Sequence, residues 1–186
     1  MSFNDKFELN KDSAFLLIID IQDRLAAAMS EKEKVVRNNL LLIELAKRQG
    51  IPVLVTEQYP KGLGPTVQEL REAIPNHDPV EKLTFDCCAT PRFGDYLDHE
   101  VRHTAIVTGM ETHICVLQTV IGLLKQQFKV HVISDAACSR TKENWKTGLE
   151  FMRDAGAVIS ATEIALFQLL GVAGTEDFKE ISRLIK

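Results

Sequence analysis

The sequence predicts an α/β fold of three layers, with a mostly parallel six-stranded sheet covered by helices on both faces. Three observations carry this. Six short apolar runs, most of them rich in β-branched residues, are spread along the chain. Amphipathic stretches of helical period lie between most of them. Strict alternation of the two kinds implies right-handed crossovers, and so parallel neighbours.

The first run, Ala14 to Ile19, is continuous and apolar and ends at Asp20. The second, Ile51 to Val55, ends at Thr56. The third, Val80 to Leu83, is shorter and contains Lys82. The fourth, Ala105 to Val107, runs into Thr108-Gly109. The fifth, Val130 to Ile133, ends at Ser134-Asp135, and the sixth, Ala157 to Ile159, is followed by Ser160-Ala161-Thr162. Runs of this kind suit strands buried on both faces of a parallel sheet.

Ser30 with Glu33 spells a capping box, and Val36, Leu40 and Ile43 follow on one helical face. Gly50 stands where a C-terminal cap belongs, with Pro52 just beyond. Thr66 with Glu69 opens a shorter helix that Pro75 stops. A short helix is expected between the third and fourth strands. Val116 to Gln127 forms another, Lys142 to Ala155 a further one closed by Gly156, and Thr175 precedes the last. Lys61 to Pro65 reads as a loop. No linker, repeat or biased segment interrupts the chain, so residues 1–186 are expected to form one domain with a sizeable core.

Composition narrows the function. With 45% hydrophobic and 26% charged residues, neither disorder nor a fibrous repeat is indicated. The formal net charge is -4, the two signs are interspersed, and the longest basic cluster is Lys47-Arg48. Nucleic acid is therefore not expected as a partner, because phosphate binding needs a concentrated basic surface. No apolar stretch approaches the ~20 residues that span a bilayer, and Met1 to Lys11 lacks the apolar segment of a secretory signal. Cys87, Cys88, Cys115 and Cys138 contain no CxxC spacing, which predicts no disulfide or metal framework and a reducing, cytoplasmic location. No HxxxH, GxxxxGK[ST] or GxGxxG pattern occurs, so neither a metal nor a nucleotide cofactor is expected. His77, His99, His103 and His131 read as surface or loop residues.

Ligands of such a sheet bind beyond the carboxyl ends of its strands. That rule selects Asp20, Glu57-Gln58-Tyr59, Lys82 and the segment Gly109 to Cys115. A bare carboxylate at the end of a buried strand is costly, so Asp20 is solvated, paired, functional, or a turn and cap residue. Lys82 is either an edge-strand lysine facing water or an ammonium beside Asp20 and a thiolate. Cys115 enters a helix, whose free N–H groups and positive dipole end lower a thiol pKa and can hold an oxyanion; otherwise it is a small packed residue. Nothing places the ring of His113 against its sulfur. On the residues alone three functions stay open: a cysteine hydrolase, a domain that only binds, and a thiol-redox protein. The last needs Cys87, Cys88 or Cys138 within disulfide reach of Cys115.

The residues resemble the isochorismatase-like family of cysteine hydrolases. The likeness rests on Asp20-Ile21-Gln22 ending the first strand, Lys82 on the third, and Gly-x-x-Thr-x-x-Cys-Val at Gly109 to Val116. It covers about residues 12 to 185. Thr56 to Gly64 and Phe178 to Ile181 look most like the branch of isochorismatase domain-containing proteins. The resemblance implies Cys115 as nucleophile, Asp20 as base and Lys82 as electrostatic partner. It also implies a cis peptide between Met110 and Glu111, with the N–H groups of Glu111 and Cys115 facing a substrate oxyanion. Gln22, Glu57, Tyr59, Phe85 and Met110 are expected as pocket walls. The substrate is expected to be a small amide, imide or carbamoyl compound, cleaved without metal at a C–N bond. A homo-oligomer is expected, with Leu123-Leu124 and Leu166 to Leu170 as apolar surface for it. The nicotinamidase branch carries Asp-x-His after its second strand; here Glu57-Gln58-Tyr59 has no histidine, so zinc is not expected.

Overall fold

The computed structural model describes residues 5–186 apart from Pro75 and Glu100. Strands β1 (Ala14–Ile19), β2 (Val53–Gln58), β3 (Val80–Lys82), β4 (Thr104–Met110), β5 (Lys129–Cys138) and β6 (Val158–Ser160) form a six-stranded sheet. Its order is β3-β2-β1-β4-β5-β6, and every neighbouring pair is parallel. The order reverses between β1 and β4, which makes the crevice beyond their carboxyl ends the expected ligand position.

Alternation along β1 divides the core in two. Ala14, Leu16 and Ile18 face one layer, made by α2 (Lys32–Gln49), α4 (Gln68–Ala73), α8 (Thr162–Leu170) and α9 (Glu176–Leu184). Phe15, Leu17 and Ile19 face the other, made by α5 (Pro91–His99), α6 (Leu117–Lys125) and α7 (Lys142–Asp154). Two short helices, α1 (Asp23–Ala26) and α3 (Pro60–Leu63), lie beside the carboxyl ends of β1 and β2. Three layers with both faces of the sheet covered match the fold the sequence predicts.

Local details differ. Ser30 does not cap α2: the helix starts at Lys32 with Glu31 at its N-cap and no side-chain cap bond. Thr66 does not cap α4 either, because its hydroxyl and N–H are both given to Glu57. The stop expected at Pro75 lies outside the described residues; α4 ends at Ala73. Thr175 does cap α9, accepting from Phe178 N. The stretch Lys61 to Pro65 is half helix, since Pro60–Leu63 makes a turn. Helix α8 stands between the last strand and the last helix, where no helix was expected. Leu166 and Leu169 face inward from it, and Leu123 is fully buried, so these leucines fill the core rather than offering a surface. His131 is likewise buried on β5, not exposed.

Strand β5 is longer than its apolar run because it carries an irregularity. Pairing passes from Val107 with Val132 to Gly109 with Ala137. Two asparagines of α2 hold the extra backbone: Asn38 Nδ2 donates to Asp135 O at 2.7 Å, and Asn39 Nδ2 to Ala136 O at 3.1 Å. Asn39 Oδ1 also accepts from Thr108 Oγ1 at 2.6 Å, which satisfies a wholly buried amide.

Candidate active site

Asp20 leaves β1 with a φ of 53°, a left-handed conformation that aspartate tolerates better than most residues. Its side chain is wholly buried. Oδ2 accepts from Lys82 Nζ at 2.7 Å, and Oδ1 from Thr56 Oγ1 at 2.7 Å. Lys82 lies on the edge strand β3, yet its side chain turns inward. Its other donors reach Gln58 Oε1 at 2.8 Å and Thr84 O at 3.3 Å, so the ammonium has three acceptors for three donors. Burial works to lower the Lys82 pKa; the Asp20 carboxylate 2.7 Å away more than offsets it, so the pKa is raised and the group is charged at neutral pH.

Cys115 lies in a five-residue π turn, Thr112–Val116, that joins β4 to α6. Val116 N bonds to Glu111 O at 3.3 Å, where an α-helix would have used Cys115 N. Cys115 is 5% exposed, and its sulfur lies near enough to Asp20 and Lys82 for both charges to act on it. Burial pushes its pKa well above the ordinary thiol value, the charge of Asp20 adds to this, and Lys82 only partly opposes. The helix end expected to depress the thiol does not prevail, because loss of solvent dominates. The resting sulfur is therefore a thiol. The four cysteines are unpaired. Burial also pushes Cys87 and Cys138 each up to about 12.

Glycine is required where β4 meets β1. Gly109 has a φ of 122°, and a Cβ there would come within 2.0 Å of Ile19 O. This close approach brings the start of the Cys115 turn against the end of β1. The Met110–Glu111 peptide that follows is cis. The Glu111 carboxylate is buried, and its Oε2 accepts from Arg140 N at 3.0 Å and Nε at 3.1 Å.

The expected pocket walls divide. Tyr59 lines a cavity of about 520 Å³ together with Lys82, Leu83, Thr84 and Pro91; the lining does not extend to Asp20 or Cys115. Phe85 is exposed close by in sequence but outside that lining. Gln22 is wholly buried and ties the chain together, giving its amide to Gln58 O and Gly64 O and accepting from Gln58 N. Glu57 is committed to Thr66. Met110 packs in the core on the α2 side. Strand periodicity alone could not separate these roles, since each lies at or just beyond a strand end. The sequence reading missed Thr56 as a partner of Asp20, whereas Gln58, which it selected with the strand end, accepts from Lys82. Thr56 was detectable as the polar end of the strand beside β1, opposite Ile19 in register.

Among the described residues, no group of three or more His, Cys, Asp or Glu side chains could hold a metal ion. No helix among them is long and apolar enough to cross a membrane.

Comparison with known proteins gives the family. The isochorismatase domain model matches residues 14–164. The secreted isochorismatase effector Isc1 of Phytophthora sojae is 36% identical over 179 residues, covering 94% of this chain and 85% of its own. Mouse isochorismatase domain-containing protein 2A is 33% identical over 176 residues, covering 94% and 84%. A solved structure described as MAR1 ribonuclease from Caenorhabditis elegans superposes with a TM-score of 0.88 at 34% identity, covering 96% of this chain and 92% of that one. With a family model spanning most of the chain and relatives above 30% identity along nearly all of it, the protein belongs to the isochorismatase domain family.

Proposed function

We propose that the protein is a cysteine hydrolase that cleaves a small amide, imide or carbamoyl substrate through a thioester on Cys115. The observation that carries this reading is the buried Asp20 carboxylate, paired with the Lys82 ammonium at 2.7 Å and near enough to the Cys115 thiol for its charge to act there, at the ligand-binding edge of the sheet. A base, a cation and a nucleophile gathered in one place are what acyl transfer to sulfur needs.

In the proposed reaction Asp20 takes the Cys115 proton as sulfur attacks the carbonyl carbon. Lys82 offsets the charge that develops. The N–H groups of Glu111 and Cys115 face the oxyanion, a contribution of about 3 kcal/mol per donor in comparable sites. The C–N bond breaks, and the leaving nitrogen takes the proton from Asp20. Water then loses a proton to Asp20 and attacks the thioester; the acid product departs and sulfur is reprotonated. The cavity beside Tyr59 and Leu83 would receive the unreactive body of the substrate. Four unpaired cysteines suit the cytoplasm, and the exposed side chains of Tyr59, Leu83 and Phe85 offer contact to a second copy.

A panel of small amides, imides and carbamoyl compounds, run against wild type and Cys115→Ala, tests the reading. Turnover should vanish in the variant, with the acyl group trapped on Cys115 in intact-mass spectra of wild type. Equal turnover by both proteins would exclude the thioester route.

A further inference from the structure

The geometry points to Thr56 as the residue that positions Asp20, with Cys87 fixing the direction in which the Thr56 hydroxyl points. The catalytic meaning of this rests on the hydrolase reading, because a base needs positioning only if it receives the Cys115 proton.

Thr56 grips Asp20 twice. Its carbonyl accepts from Asp20 N at 3.2 Å, and its hydroxyl lies 2.7 Å from Asp20 Oδ1. Both residues are wholly buried, so no water competes for that oxygen from bulk solvent. A carboxylate has no proton to give, so the hydroxyl donates. Its lone pairs are then available to Cys87, whose Sγ lies 3.9 Å away. Cys87 is fully buried and protonated at neutral pH, so its S–H donates toward Thr56. The donors thus run one way, from Cys87 to Thr56 to Asp20. A 3.0 Å bond from Cys87 N to Thr119 Oγ1, one helical turn beyond Cys115, anchors the start of this chain to the element that carries the nucleophile.

Asp20 is consequently held from both ends, by Thr56 on Oδ1 and Lys82 on Oδ2. This fixes the carboxylate plane against the sulfur. Among the described residues, the titratable groups facing Asp20 are Lys82 from β3, Cys115 from the π turn and Cys87 from the 3-10 turn Cys87–Ala89. Thr56 is the neutral member that can be altered without changing the charge of any of them.

Alkylation of Cys115 by iodoacetamide, followed against pH by intact mass and peptide mapping, reads the pair without a substrate. Alkylation proceeds faster when the Cys115 proton can pass to a well-held base, so the profile reports how Asp20 is positioned. Thr56→Val keeps the shape and removes the donor, so the midpoint should rise by about one pH unit. Thr56→Ser keeps the donor and should return it to the wild-type position. A Thr56→Val protein with a lower melting temperature and an unmoved midpoint would make Thr56 a packing residue and overturn the inference. Thr56→Ala gives the same reading if valine prevents folding. Failure here is separable from failure of the hydrolase reading, which falls on turnover by Cys115→Ala whatever the alkylation profile shows.

Discussion

Lys82 Nζ lies 2.7 Å from Asp20 Oδ2, and neither side chain reaches solvent. Removing two ions from water costs several kcal/mol each, which is offset only by close pairing and full hydrogen bonding. Lys82→Met keeps the stem and strands the carboxylate. Unfolding free energy should fall by about 3–5 kcal/mol. Adding Asp20→Asn removes the stranded charge and should restore part of that loss. Urea unfolding of wild type, both single variants and the double variant measures the coupling; losses that simply add would show that the pair is not coupled.

Asp20→Asn should separate the ionisation of the thiol from its use. After burial, the Asp20 charge is the main cause of the raised Cys115 pKa, and Lys82 remains to lower it. Removing the carboxylate should therefore bring the Cys115 thiolate in at lower pH, read by ultraviolet thiolate absorbance. On a substrate turned over through Cys115, the same variant should lose about 10²–10⁴-fold in rate, because no base moves the proton. A thiolate titration that stays in place would contradict the nearness of residues 20 and 115.

His131 should make stability fall in mild acid. Its Nε2 donates to Lys6 O at 2.9 Å, and its Nδ1 is buried without a partner among the described residues. Burial lowers its pKa from 6.5. The folded state thus binds fewer protons than the unfolded chain. The contribution is complete above about pH 6.5 and is lost as pH falls from there through the folded value. His77 shifts in the same direction, also through burial, so the test is a difference. Denaturant unfolding of His131→Gln should lose less stability than wild type between about pH 8 and about pH 5.5.

Gly109→Ala should be among the most damaging changes of a single methyl group. The added carbon would lie 2.0 Å from Ile19 O and 2.7 Å from Ile19 N, both backbone atoms of the central strand, at a φ of 122°. Relief would require parting β1 from β4. The expected loss is at least about 3 kcal/mol, with thermal unfolding as the measure. A variant of wild-type stability would mean that the strands can separate at little cost.

The strands were legible because a buried parallel strand is written locally, as a short apolar run such as Ala14 to Ile19. Helix α8 was not, because Thr162–Leu170 is mostly apolar with little amphipathic pattern and follows β6 without a side-chain cap to mark it. The end of β5 was missed because Ser134 and Asp135 look like a loop; Trp145 holds the Ser134 carbonyl, and Asn38 and Asn39 reach across from α2 to the carbonyls of Asp135 and Ala136. Capping failed at Ser30 and Thr66 for a related reason: a hydroxyl takes whichever partner tertiary packing supplies, and for Thr66 that partner is Glu57.

What the sequence determined by itself was the alternation of strands and helices, and with it the edge where Asp20, Lys82 and Cys115 had to lie. Period and chain order suffice for that, since both act over a few residues. The tertiary structure alone decided which atoms meet there: that Lys82 turns inward, that Thr56 and Cys87 stand behind Asp20, that Gln22 and Glu57 spend their side chains on loops, and that Cys115 rests as a thiol. Hydrogen-bond partners and desolvation depend on groups brought together from distant parts of the chain. No local pattern around Cys115 carries the burial and the carboxylate that set its charge.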